Sequence, residues 1–354
     1  TIQCGKEKCL VILGIRQSAL PEGEMNLYHE DVEPLALYPV TCSNGGVVYQ
    51  QLEETVSITG VPRQIVADNG PDIRAGTKLF QKKYPKVCFV YDIKHKAAAT
   101  LKYHLCDDED WNEFIKRASG TGKQLQQTDM AFLVPPAQRS KARYMNIDRL
   151  VNWACDTLVF MEHQKKTDEP ECSLEILYEK LDWLFDFYPQ IIQWQDAMNV
   201  VQTAVDFIRF NGIYRDCHID LAKVPWFEGQ TPLAEVIRDE LFEFVKGESE
   251  KAKPRERLLG SSELIESLFG KLKYLERDQS KSGFTALLLT LAASVSKTTK
   301  DVIGKALETV PTKKVYQWFK SNIGQSVQSK RKKVSRIVKQ AEQYQEQISE
   351  AEFY

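Results

Sequence analysis

The feature that most constrains this chain is a series of five short apolar runs, spaced between Thr1 and Tyr91. Thr1-Ile2-Gln3-Cys4 and Cys9-Leu10-Val11-Ile12-Leu13-Gly14-Ile15 read as two strands joined around Gly5-Lys6-Glu7. The second is apolar almost throughout, as in a strand covered on both faces. Pro21 to Glu33 reads as loop, and Leu35 to Thr41 as a third strand closed by Ser43-Asn44-Gly45-Gly46. Val47 to Ile58 has helical periodicity and stops at Gly60. Arg63 to Ala67 is a short strand ending at Asp68-Asn69-Gly70-Pro71. Asp72 to Lys83 is a second helix, and Val87 to Tyr91 a fifth strand. Three strands in a meander, then helix, strand, helix, strand, suit a mixed sheet completed by right-handed crossovers.

From Ala97 to about Pro254 the pattern turns helical, with amphipathic helices expected over Leu174–Phe187 and Ile191–Phe210. Leu174, Leu177, Leu181 and Leu184 recur at helical spacing and line one face. Trp111, Trp153, Trp183 and Trp194 read first as core packing. The sharper reading has one of them stacking on an unpaired base. A further helix opens after Gly260-Ser261-Ser262, with a serine N-cap expected. Helices follow over Ala286–Val295, Thr299–Thr309 and Lys313–Asn322, and Ser326–Glu350 is a polar tail, basic and then acidic.

At 354 residues, 43% hydrophobic and 27% charged, the chain is in the ordinary globular range and long enough for two or three units. Its longest apolar run, Ala286–Val295, falls short of the roughly 20 residues that span a bilayer. No charged-then-apolar leader opens it, so a cytoplasmic protein is expected, nucleoid-associated if prokaryotic, with no membrane partner. The chain starts at Thr1 directly in strand-like sequence, so a preceding part is expected. Eight cysteines lie singly without a C-x-x-C pair, which suits thiols in a reducing compartment better than a zinc ribbon. A net charge of −2 excludes a uniformly polyanion-binding surface. Residues 311–340 nevertheless hold nine Lys or Arg and no acid, including Lys330-Arg331-Lys332-Lys333.

Three places carry candidate chemistry. Asp68 follows the strand Gln64–Ala67, at the carboxyl edge where open α/β sheets bind ligands. Read alone, Asp68-Asn69-Gly70 is a turn. Asp92-Ile93-Lys94-His95 closes the next strand in the same way, so two neighbouring strands present an aspartate from one edge. Glu263 and Glu266 open a later helix. Acids there also suit the positive end of the helix dipole, which accounts for Glu263. Glu266, Gly270 and Lys273 extend the stripe, where glycine admits a close backbone and lysine a phosphate. Carboxylates gathered from separate elements are what a pair of divalent ions needs for phosphodiester chemistry.

On these residues the chain resembles the DDE transposases. That family places one Asp on the first strand, a second after the fourth, and a Glu on a helix beyond an optional insertion. Asp68 matches the second Asp. Glu266 matches the Glu, in Glu266-Ser-Leu-Phe-Gly-Lys-Leu-Lys273 with the family's lysine seven residues on. Asp92-Ile-Lys-His95 looks like the C/D-x-x-H signature of several branches. The resemblance covers Thr1 to about Leu307. It implies an α/β, ribonuclease-H-like mixed sheet interrupted by a large helical insertion, with a helical C-terminus. The expected divisions are 1–96 and 256–310 for the core, 97–255 for the insertion and 311–354 for the basic tail.

The resemblance further implies Mg²⁺ (or Mn²⁺) held by Asp68 and Glu266 as catalytic ligands, with Asp92, His95 and Glu263 in support. Lys273, Lys330, Arg331, Lys332 and Lys333 would bind DNA, with transposon ends and target as partners and a homo-oligomer on DNA. No Asp precedes Asp31, so the family's first Asp is expected upstream of Thr1 or lost. Two alternatives stand beside strand cleavage and transfer: a domesticated, inactive DNA-binding or assembly protein, and a nuclease without strand transfer.

Overall fold

In the computed structural model the order up to Tyr91 is strand, strand, strand, helix, strand, helix, strand: β1 (Ile2–Cys4), β2 (Glu7–Gly14), β3 (Glu33–Val40), α1 (Gly45–Thr59), β4 (Gln64–Ala67), α2 (Pro71–Lys83) and β5 (Cys88–Tyr91). Helices follow as α3 (Ile93–Leu105), α4 (Glu109–Leu125), α5 (Ile147–Gln164), α6 (Leu174–Leu181), α7 (Tyr188–Asn211), α8 (Cys217–Leu221), α9 (Pro232–Ser249), α10 (Glu263–Asp278), α11 (Lys300–Thr309) and α12 (Thr312–Asn322). The described residues are 2–4, 7–16, 25–40, 42–137, 147–278, 290–291, 293–295, 299–322, 329–338 and 340. The protein is mixed α/β and mostly helical. Its described strands form a β1-β2-β3 sheet and a β4-β5 pair. The chain divides into two compact units. One holds Thr1–Arg63, Gly70–Val87 and Ser262–Tyr354, and the other Gln64–Asn69 and Cys88–Ser261. The boundary expected at 96/97 falls inside α3.

In the first unit β2 pairs antiparallel with both β1 and β3, with an irregularity between Ile12 and Leu13. A small core gathers Cys9, Val11, Val32, Leu268, Leu272, Leu291 and Val295. Helix α10 supplies Leu268 and Leu272, which with Leu264 and Leu275 form an apolar stripe, and Ser262 O accepts the Ile265 amide at 2.9 Å. Helix α1 starts where the Asn44 side chain accepts the Val47 amide at 3.0 Å. It lies tightly against α2 because Gly76 has no side chain: a Cβ there would sit 2.6 Å from Val48 Cβ. Half of the helix expected over Ala286–Val295 falls outside the described residues.

In the second unit β4 and β5 run parallel, Gln64 opposite Cys88 and Ala67 opposite Tyr91. Gln64 also ties the end of the helical region to β4. Its side-chain amide donates to Leu259 O at 2.5 Å, and its side-chain oxygen accepts the Leu259 amide at 3.0 Å. The helical core is built around Trp111, Phe114, Trp183, Phe187 and Trp194, with Trp111 and Trp194 edge to face at 4.8 Å. Trp183 Nε1 donates to Thr121 Oγ1, and Trp153 Nε1 to Leu133 O. The first reading of these tryptophans, as core packing, fits all four. Trp111, Trp183 and Trp194 are buried in packing, and the half-buried Trp153 packs against the same core.

The single helix expected over Leu174–Phe187 is α6 followed by a 3-10 turn, Asp182–Phe187. Pro189, with no N–H to give, sits in the first turn of α7, where a proline is tolerated, and a new helix begins there. Among the described residues no helix is long and apolar enough to cross a membrane.

Candidate active site

The parallel β4–β5 ladder sets the first part of the site. Because Ala67 faces Tyr91, the next residues, Asp68 and Asp92, leave neighbouring strands at the same carboxyl edge. The Asp92 amide donates to Ala67 O at 3.1 Å, extending the ladder one step. Asp92 is 1% exposed. A buried carboxylate needs partners, and α3 supplies them. Asp92 is the N-cap of α3, its Oδ1 accepting the His95 amide at 2.9 Å, and His95 Nδ1 lies 3.2 Å from the same oxygen. The Ile93 amide donates to Gly260 O at 3.0 Å, so Gly260 is fixed beside the start of α3. Asp68 is half-buried.

Between the aspartates lies Tyr91, which the sequence did not single out. Burial pushes its phenol above the usual range, and the charges of Asp92 and then Asp68 push it further. Its ring meets Phe244 of α9 edge to face. Lower on β5, Lys251 Nζ donates to Phe89 O at 2.9 Å and to both oxygens of Glu248, at 2.6 and 2.7 Å. Burial raises the Glu248 carboxyl even so, against the opposing pull of Lys251. The i,i+3 spacing of Glu248 and Lys251 was a legible signal. Their attachment to β5 was not.

The second part of the site is on α10 in the other unit. Glu263 and Glu266 occupy its first turn and are half-buried, whereas Gly270 and Lys273 are exposed. At about 100° per residue this stripe lies opposite the one formed by Leu264, Leu268, Leu272 and Leu275. Packing of the leucines therefore leaves Glu263, Glu266 and Lys273 on the side away from the small core. On the same helix Lys271 Nζ lies 3.0 Å from His29 Nδ1, and burial followed by the Lys271 charge lowers the His29 pKa.

Asp68, Asp92 and His95 thus belong to one unit, and Glu263, Glu266 and Lys273 to the other. Among the described residues no group of three or more His, Cys, Asp or Glu is arranged to hold a metal ion. Lys330, Arg331, Lys332 and Lys333 lie in a helical stretch, 329–338, and are exposed. Comparison with protein-family models and with curated proteins finds no match to this chain.

Proposed function

We propose that this chain is the catalytic part of a DNA transposase, cutting and joining DNA strands on a ribonuclease-H-like frame as a DNA-bound homo-oligomer. The observation that carries the reading is the parallel β4–β5 edge, which presents Asp68 and Asp92 side by side with His95 held on Asp92. Carboxylate oxygens are the donors that Mg²⁺ and Mn²⁺ take, so Asp68 and Glu266 fit such an ion in kind. A bound metal would polarise a phosphodiester and favour attack on it. Asp92 caps the helix that carries His95, and the two support the site or contact the processed strand. Lys273 and the Lys330–Lys333 run neutralise phosphates.

The test is DNA nicking and end-joining by the purified chain, with Mg²⁺ or Mn²⁺ and with chelator. Metal-dependent nicking followed by joining is expected. Nicking without joining would make the protein a nuclease. DNA binding without metal-dependent cleavage would make it a DNA-binding or assembly protein.

A further inference from the structure

Tyr91 is held at three points and uses its hydroxyl at none of them. The parallel register sets it opposite Ala67, so it stands immediately before Asp92 and beside the strand end that carries Asp68. Its ring meets Phe244 of α9 edge to face, with centroids 5.8 Å apart. Its backbone amide donates to the Glu248 carboxylate, which Lys251 in turn ties to Phe89 O. Backbone and ring are therefore both fixed by residues of this one unit. Among the described residues the hydroxyl itself has no hydrogen-bond partner, although the charges of Asp92 and Asp68 both reach it. Tyr178 and Tyr214, the other half-buried tyrosines described in this unit, donate theirs to Met161 O at 3.4 Å and to Asp220 at 2.8 Å. A half-buried tyrosine ordinarily finds such an acceptor inside the fold.

We infer that Tyr91 is a DNA-binding residue, its hydroxyl donating to a non-bridging oxygen of the phosphodiester that meets the β4–β5 edge. Tyrosine hydroxyls are among the groups that donate to DNA phosphates. A phenol keeps its proton at neutral pH even at its ordinary value, so the role needs no shift in its ionisation. A neutral donor also suits this edge. A lysine in the same place would pair with Asp68 or Asp92, whereas a phenol offers a proton to an anion and adds no charge. With ring and backbone already fixed, little freedom is lost when the phosphate arrives. The inference deepens the reading above: it rests on DNA being the partner at this edge, but not on metal or cleavage.

The test is equilibrium binding of the whole chain to a duplex oligonucleotide in chelator, at several salt concentrations, beside urea unfolding of the same proteins. Tyr91→Phe keeps the ring and its contact with Phe244 and removes only the hydroxyl. It should weaken DNA binding roughly tenfold, as for a lost hydrogen bond to a charged group. The factor should be the same at every salt concentration, because a neutral donor releases no counterions. The urea midpoint should stay at the wild-type value, since no protein group loses a partner. Tyr178→Phe, whose hydroxyl does have a protein acceptor, is the matched control and should bind DNA as wild type does. Unchanged DNA binding by Tyr91→Phe, a flattened salt slope, a lowered urea midpoint, or an equal loss of binding in Tyr178→Phe would each overturn the inference while leaving DNA as the partner. If wild type binds no DNA, the inference and its DNA premise both fall.

Discussion

One oxygen of the Asp92 carboxylate accepts the His95 backbone amide at 2.9 Å and lies 3.2 Å from its imidazole Nδ1. One side chain thus starts helix α3 and lies beside the ring one turn later. Asp92→Ala removes both contacts and should lower the unfolding free energy by about 1–2 kcal/mol, the usual range for a lost N-cap. Asp92→Asn keeps a capping oxygen and should cost clearly less. Urea unfolding of the three proteins checks the order. Equal stability of Ala and Asn variants would show that the cap contributes nothing.

Asp68 and Glu266 are expected to matter for activity and little for folding. Asp68→Asn and Glu266→Gln should each abolish metal-dependent nicking, because a carboxylate that holds an ion has no neutral substitute. Neither residue is buried in a core, so unfolding midpoints should move little. Glu263→Gln is the control and should be mild, its charge being accounted for by the start of α10. Nicking that survives both substitutions would remove Asp68 and Glu266 from the chemistry.

The Lys330–Lys333 run lends itself to a salt titration. Each neutralised phosphate releases counterions and steepens the fall of log K with log salt by about 0.9. Replacing all four cations should flatten that slope by up to about three or four units and weaken binding to every sequence alike. Sequence preference should barely change, since phosphates carry no base information. An unchanged slope would assign the stretch to solubility or protein contact.

Tyr214 predicts a change at alkaline pH. Burial, the hydrogen bond from its hydroxyl to Asp220 at 2.8 Å, and the Asp220 charge push its phenol up to about 12. Unfolded, the phenol ionises near its ordinary value of 10.0. Between those values the folded state holds a proton that the unfolded state has lost, so stability must fall as pH rises. The contribution is fully present below about pH 10 and gone above about pH 12. Tyr214→Phe should flatten stability over that window, and the ultraviolet tyrosinate signal lost in the variant should be the late-titrating part.

The local elements were legible because their signals are local. Apolar runs ending at Asp68 and Asp92 marked β4 and β5, and Asn44, Thr299 and the Pro189 region punctuate helices by their own chemistry. The α10 stripe was legible too, since its leucines and its Glu266–Lys273 side follow from one period. Long-range partners were not. Nothing in the spacing of Glu248 and Lys251 says that they fasten on Phe89 O, and nothing local says that β4 is bound by Leu259. The tryptophans show the same limit. Trp111, Trp183 and Trp194 are core while Trp318 is exposed, a difference made by tertiary packing rather than by residue type.

Gln64 and Leu259 hydrogen-bond across 195 residues. Closing so long a loop costs about 2–2.5 kcal/mol more than closing one of about a dozen residues, since each doubling adds roughly 0.6 kcal/mol. Helices α3 to α9 gain most of their contacts from one another and can collapse early, whereas this strand-to-strap clasp must wait until both ends of the excursion meet. Refolding should therefore run in two kinetic stages, with helical circular dichroism returning ahead of the Gln64–Leu259 clasp.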